Sequence, residues 1–188
     1  MNGILYVPFS YGSGTYFMNT IIHKEQTACI SINPSQDFSW LSDETDARFD
    51  KIKADSYQRF EALIQRGYRT FLCGIDNNFD IICVETLSEL KKKYNFIKTI
   101  GVLPYRNREA NWVDKERIKY RRTLAKVDEF RCIYDRYMGE ECVLERNWFM
   151  VNNSSILIAL YNGLSGGRKS IIDYALRQGL EVTILHSQ

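Results

Sequence analysis

The chain has 188 residues, 45% of them hydrophobic, with 25 basic side chains against 23 acidic ones and a net charge of +2. This is enough apolar material for one domain with a closed core, and it excludes global disorder, while the near-neutral balance excludes strong nonspecific binding to nucleic acid. No apolar run reaches the length of a membrane span, and the N-terminus lacks the basic flank and long apolar core of a signal peptide, so a cytoplasmic protein is expected.

Residues 1–26 are aromatic and glycine-containing, and are expected to form an arm or edge hairpin ahead of a domain spanning 27–188. Ser10 to Thr15 superficially resembles a phosphate loop, but lacks the closing Gly-Lys-Ser/Thr and a following helix. Residues 27–32 read as a short apolar strand. Residues 46–65 read as a helix with Phe49, Ile52, Phe60, Leu63 and Ile64 on one face, stopped by Gly67. A strand over 69–72, a helix over 80–94, a strand over 98–103 and a charged helix over 112–127 follow. A strand over 129–134, a helix over 143–152 and a strand over 156–161 come next. A last helix over 170–178 ends at Gly179, and a strand over 182–185 closes the series.

Short strands separated by helices demand parallel pairing through right-handed crossovers. The expected fold is therefore α/β: a single Rossmann-like, doubly wound domain with a mostly parallel sheet and helices on both faces. Its ligand should bind at the carboxyl ends of the strands. The clusters Lys91 to Lys93 and Lys119 to Arg122 read as solvated helix faces. Five cysteines without CxxC spacing read as reduced thiols, three of them in or at the end of predicted strands (Cys29, Cys73 and Cys132). The two histidines, His23 and His186, do not offer the spacing of a zinc site, and neither a metal nor a cofactor is expected.

The strand ends carry the candidate chemistry. Gly74 directly follows a strand and permits a tight turn or close approach of a ligand. Asp80 can cap the next helix or accept a ribose hydroxyl. After Pro104, Tyr105 can stack on a base and Arg106 and Arg108 can meet phosphate, or the segment is an exposed loop with ordinary surface charge. Arg146 sits on a predicted helix, where a lone Arg is most often solvent-exposed; Asn147 and Met150 beside it carry little by spacing alone. Gly166 and Gly167, just before a helix, allow a turn that leaves N–H donors for an anion, and Ser170 can cap that helix or bind a phosphate oxygen. A plain turn is the alternative. Asp173 follows Ser170 by about one helical turn, so both can face one site.

At these residues the sequence resembles the SLOG superfamily, and within it the YpsA-like group, from about Ala28 to Leu185. The most specific stretch is Arg146-Asn147 with Met150-Val151, then Leu157 through Asn162-Gly163, Gly166-Gly167 and Tyr174-Ala175. It is similar to the group's "RNxxMVD … LIAVYNGxxGGTxxTVxYA". Phe71 to Gly74 with Asp80 and Glu85 resembles its "FISGxAxGxDxxxAE", and Pro104, Trp112 and Tyr120 resemble its "P…W…RY" segment. The chain departs from the group where its "TGHRP" turn would stand, at residues 32–36, although Trp40 fits the tryptophan that follows. Asn78 replaces a second glycine.

The resemblance implies a Rossmann-like fold with a pocket for a nucleotide or nucleotide-derived ligand, lined by Gly74, Asp80, Pro104, Arg146, Asn147, Asn162, Gly166, Gly167 and Ser170. It also implies a tendency to form a homodimer. Against the Lonely Guy phosphoribohydrolases of the same superfamily, Arg146 matches the Arg and Asn147 stands in place of the Lys. Gly166, Gly167, Ser170 and Asp173 fall at the Gly, Gly, Thr and Glu positions. The first expectation is thus non-catalytic binding of a nucleotide derivative. The second is hydrolysis of a nucleoside monophosphate, with Asp173 and Arg146 as catalytic residues. The third is a protein-interaction module whose pocket has decayed. DNA binding is the weakest, since no basic groove is visible.

Overall fold

The computed structural model describes residues 9–11, 14–16, 21–32, 38–161 and 171–186. Phe9–Tyr11 (β1) and Gly14–Tyr16 (β2) pair antiparallel, with Phe9 opposite Tyr16 and Tyr11 opposite Gly14, in a two-stranded ladder separate from the main sheet. Ser10 and Thr15 are partners in that ladder.

From Thr27 the chain alternates strand and helix: Thr27–Ile32 (β3), Ala47–Gln65 (α1), Thr70–Cys73 (β4), Asn78–Leu90 (α2), Lys98–Tyr105 (β5) and Asp114–Leu124 (α3). Glu129–Tyr134 (β6), Glu141–Asn152 (α4), Ile156–Tyr161 (β7), Ile171–Arg177 (α5) and Glu181–His186 (β8) complete it. Helix α1 starts where the Asp46 side chain accepts from the Arg48 N–H, the cap its sequence offers. Gly67 and Gly179 follow α1 and α5 at φ +102° and +77°, conformations that side chains with a Cβ disfavour, and so turn the chain back toward the sheet.

Six strands form one sheet in the order β6-β5-β4-β3-β7-β8, and every neighbouring pair is parallel. Central β3 pairs with β4 on one side (Ala28 opposite Phe71) and β7 on the other (Ala28 opposite Ile156). Parallel strands buried on both faces need apolar residues throughout, which the run Ile156 to Leu160, all fully buried, supplies. Alternate strand residues enter two cores. One holds Ile30, Phe71, Cys73 and Ile158 with α1, α2 and α3. The other holds Cys29, Leu72, Ile100 and Leu157 with α4 and α5. The fold is a Rossmann-like, three-layer α/β domain. The chain steps outward from β3 to β6, then returns to β7 on the far side of β3, so the topological switch lies between β3 and β7.

In the cluster Lys91 to Lys93, Lys93 reaches Glu61 at 2.8 Å and Lys91 pairs with Asp128, whereas in the cluster Lys119 to Arg122 Lys119 is half-buried and bonds Asn78. All five cysteines are free thiols; Cys29, Cys73, Cys83 and Cys142 are buried and Cys132 is half-buried. No described helix is long and apolar enough to cross a membrane.

Candidate functional site

Strand β4 ends at Cys73, and four residues separate it from the start of α2 at Asn78. The turn between them is tightly specified. Asn77, with extended backbone, is the N-cap of α2: its Oδ1 accepts from the Asp80 N–H at 3.0 Å. Asp80 reciprocates from the first helical turn, its Oδ2 accepting from the Asp76 N–H at 2.7 Å and from Asn77 Nδ2 at 2.8 Å. The sequence pointed to Asp80 as the cap; the helix begins two residues earlier, so Asn77 caps it and Asp80 braces the turn from the third helical position, as in a capping box. Ile75 inside the turn has φ +55°, a left-handed conformation that a β-branched residue adopts only when its surroundings impose it.

Arg146 arrives from the other side of the sheet. It lies on α4, yet only 5% of it is exposed, because its side chain passes over the carboxyl edge of β4. Its Nη2 is 2.5 Å from Asp76 Oδ2. Gly74 makes the passage possible: a Cβ there would collide with the guanidinium, stand 3.0 Å from Cζ and sit 3.4 Å from Asp80 Oδ2. Arg108, from the loop after β5, pairs with the other oxygen of Asp76 and lies over the Trp112 ring at 5.2 Å. Asp76 is thus shared by two arginines, Arg146 buried and Arg108 half-buried.

Burial weighs on Asp80, Arg108 and Arg146. It pushes the Asp80 carboxyl up to about 6, although the Arg146 charge and a backbone hydrogen bond oppose the rise. Burial also pulls Arg146 down against the attraction of Asp80 and Tyr120, and pulls Arg108 down with further help from the Arg146 charge. Below about pH 6, where Asp80 is protonated, two guanidinium groups face the single carboxylate of Asp76; above it, the Asp80 carboxylate adds a second negative charge beside Arg146. Nε of Arg108 and Nε of Arg146 make no hydrogen bond among the described residues. A buried guanidinium with spare donors beside an open strand end is suited to hold an anion with planar or tetrahedral oxygens.

The structure therefore gathers four sequence-marked residues, Gly74, Asp80, Arg108 and Arg146, in one place. Pro104 is buried in β5, and Asn147 is half-buried next to Arg146 on α4. Tyr105 makes an edge contact with Tyr137 at 5.2 Å between ring centroids. Asp173 is exposed on α5, whereas the carboxylate paired with Arg146 is that of Asp76. Asn162, Gly166, Gly167 and Ser170 lie outside the described residues. Sequence reasoning missed Asp76, the acid that ties the cluster together. Its position between strand and cap was visible, but ion pairs to residues 32 and 70 positions away leave no local signal. Among the described residues no group of three or more His, Cys, Asp or Glu side chains could hold a metal ion.

A family model, YpsA, described as the YspA SLOG family, matches residues 37–183. Similar curated proteins include a UPF0398 protein of Bacillus pumilus (strain SAFR-032), 27% identical over 112 residues, covering 59% of this chain and 60% of that protein. A UPF0398 protein of Brevibacillus brevis is 29% identical over 79 residues, 42% of each chain. The uncharacterised SPbeta prophage-derived protein YoqJ of Bacillus subtilis (strain 168) is 29% identical over 97 residues, 46% of this chain and 57% of that protein. The chain thus spans between 42% and 60% of the length of these relatives. The family match covers β4 and α2 with Gly74, Asp76 and Asp80, and α4 with Arg146, and on it the chain belongs to the YpsA family of SLOG proteins.

Proposed function

We propose that this protein binds a nucleotide or nucleotide-derived ligand at the carboxyl edge of the sheet, without turning it over. The supporting observation is the arginine pair, buried Arg146 and half-buried Arg108, sharing Asp76 beside Gly74. Holding two largely desolvated guanidinium groups around Asp76 is costly unless something gains from them. A phosphate competing with Asp76 for the guanidinium groups would add negative charge and use the spare Nε donors. The hydrolase reading needs a carboxylate working beside Arg146. Asp173, the residue at that family position, is exposed on α5, and the acid on Arg146 braces a loop instead. This favours binding over hydrolysis.

Thermal unfolding in the presence of nucleoside monophosphates, ADP-ribose, NAD and cyclic nucleotides tests the reading. A ligand that binds only the native state adds about 2.7 kcal/mol at a hundred times its dissociation constant, an easily read shift. At least one compound should stabilise the wild type, and Arg146→Lys, which keeps the charge but loses the planar fork, should lose most of that shift. No stabilisation by any of them would overturn the proposal. Release of free base that disappears in Asp173→Asn would replace it with the hydrolase reading.

A further inference from the structure

A cavity of about 290 Å³ opens between the β4–α2 turn and α3. Ile75 and Ile81 give it apolar surface, and Trp112 forms an aromatic wall. That ring is held twice, by the Arg108 guanidinium at 5.2 Å and by an edge contact with Tyr120 at 5.1 Å and 68°. Tyr120 also lines the cavity. It is only 4% exposed. A tyrosine hydroxyl can both donate and accept, so it offers either role to a group lodged in the cavity. Two charged residues of α3 complete the rim. Lys119 gives one hydrogen bond to Asn78 Oδ1 at 2.8 Å and has further N–H donors, while Glu116 makes no ion pair among the described residues.

We infer that this cavity is a base-binding subsite, receiving the planar heterocycle of the nucleotide whose phosphate reaches the arginine pair; the inference rests on the nucleotide reading above. A planar ring fits between apolar surface and the Trp112 face. The rim offers an acceptor (Glu116), a donor (Lys119) and a group that is both (Tyr120). A nucleobase edge carries the same mixture of amino donors and carbonyl or ring-nitrogen acceptors. Other ligand classes fit worse. An aliphatic chain would leave the Tyr120 hydroxyl and Glu116 desolvated without partners. A polyanion would meet Glu116 and Asp76 at the lining. Asp76 belongs both to this lining and to the arginine cluster, so a nucleotide spanning the two would set its base and its phosphate on either side of that residue. Trp112 thereby takes the stacking role that the sequence offered to Tyr105.

Isothermal titration with adenosine, guanosine, cytidine and uridine, their 5′-monophosphates and ribose 5-phosphate tests this on the wild type and on Trp112→Leu, Tyr120→Phe and Arg146→Lys. At least one nucleoside should bind the wild type. Trp112→Leu should weaken the nucleoside and its monophosphate by about tenfold or more, the usual worth of an aromatic–base stack. Tyr120→Phe, which keeps the ring and its packing, should weaken both by roughly fivefold. Tyr120→Phe should leave the affinity for ribose 5-phosphate unchanged, whereas Arg146→Lys should affect only the phosphate-bearing compounds. Wild-type nucleotide affinity in both Trp112→Leu and Tyr120→Phe would overturn the subsite and leave the nucleotide reading standing. Nucleoside binding that Trp112→Leu weakens, with no contribution from phosphate or Arg146, would uphold the subsite and overturn the anion reading. A wild type that binds no nucleoside or nucleotide would overturn both.

Discussion

Gly74 is the residue on which the arrangement of the site turns. Its backbone is not in the left-handed region, so conformational freedom does not explain it; what matters is the missing Cβ, whose place is taken by the Arg146 guanidinium. The sequence marked Gly74 for close approach, and the partner proves to be a side chain from 72 positions away. Gly74→Ala should push Arg146 off Asp76 and strip the Ile75 turn of one support. Overpacking of this kind costs about 1–3 kcal/mol, measurable by denaturant unfolding. If the collision is the cause, the same substitution in an Arg146→Ala background should cost less by about 1 kcal/mol or more. Equal costs in both backgrounds would show that Gly74 serves something other than Arg146. Arg146→Ala alone should also destabilise, because it leaves the buried Asp76 with Arg108 as its one remaining cation; a breach of a buried pair ordinarily costs about 3–5 kcal/mol. Arg146→Lys, which keeps a cation beside Asp76, is therefore the better test of ligand binding on an intact fold.

At the scale of elements the sequence was readily legible, since periodicity and burial agree. The strands expected over 27–32, 129–134 and 156–161 coincide with β3, β6 and β7. The boundary of α2 was less so, because Asn77, Asn78 and Asp80 are all competent caps and only the tertiary contacts of Asp80 decide among them. Asn78, at a glycine position of the family, instead links two neighbouring elements, giving its Nδ2 to Ser42 Oγ at 2.9 Å and taking Lys119 Nζ on Oδ1. The first turn of α2 also carries a pH signature. The Asp80 carboxyl is raised from an ordinary value of 3.8 to about 6, chiefly by burial and against the Arg146 charge. The folded chain therefore holds that proton more tightly than the unfolded chain. Its contribution to stability is present below about pH 4 and is lost as pH rises through 6, a swing of about 3 kcal/mol. Asp80→Asn cannot titrate, so its stability relative to wild type should climb by that amount between pH 4 and pH 7 and level off above. A flat difference across this range would mean that Asp80 stays ionised in the folded state.

The whole molecule is one parallel sheet between two helical layers, and its thiols report on both. Cys29 on β3 faces the core of α4 and α5, its Sγ 3.5 Å from the Ile156 carbonyl oxygen, while Cys73 on neighbouring β4 faces the core of α1 to α3. Burial pushes the Cys29 thiol up to about 12 and holds Cys73 and Cys83 well above the ordinary range, so thiolate is scarce at all three in the folded state. Half-buried Cys132, raised by burial to about 11, is the most accessible of the four. Neither helical layer can leave without exposing one whole face of the sheet, and the two faces are made by alternate residues of the same strands. Opening should therefore be global for both. With a thiol reagent at pH 8, Cys132 should react first, and Cys29 and Cys73 should react only through unfolding. Their labelling rates should rise with denaturant along the same slope, equal to that of equilibrium unfolding. Labelling of Cys29 with a shallower slope than Cys73 would show instead that α4 and α5 separate from the sheet on their own, and with them Arg146 from Asp76. The anion site would then open without the rest of the fold, and binding at Arg146 would protect Cys29 selectively.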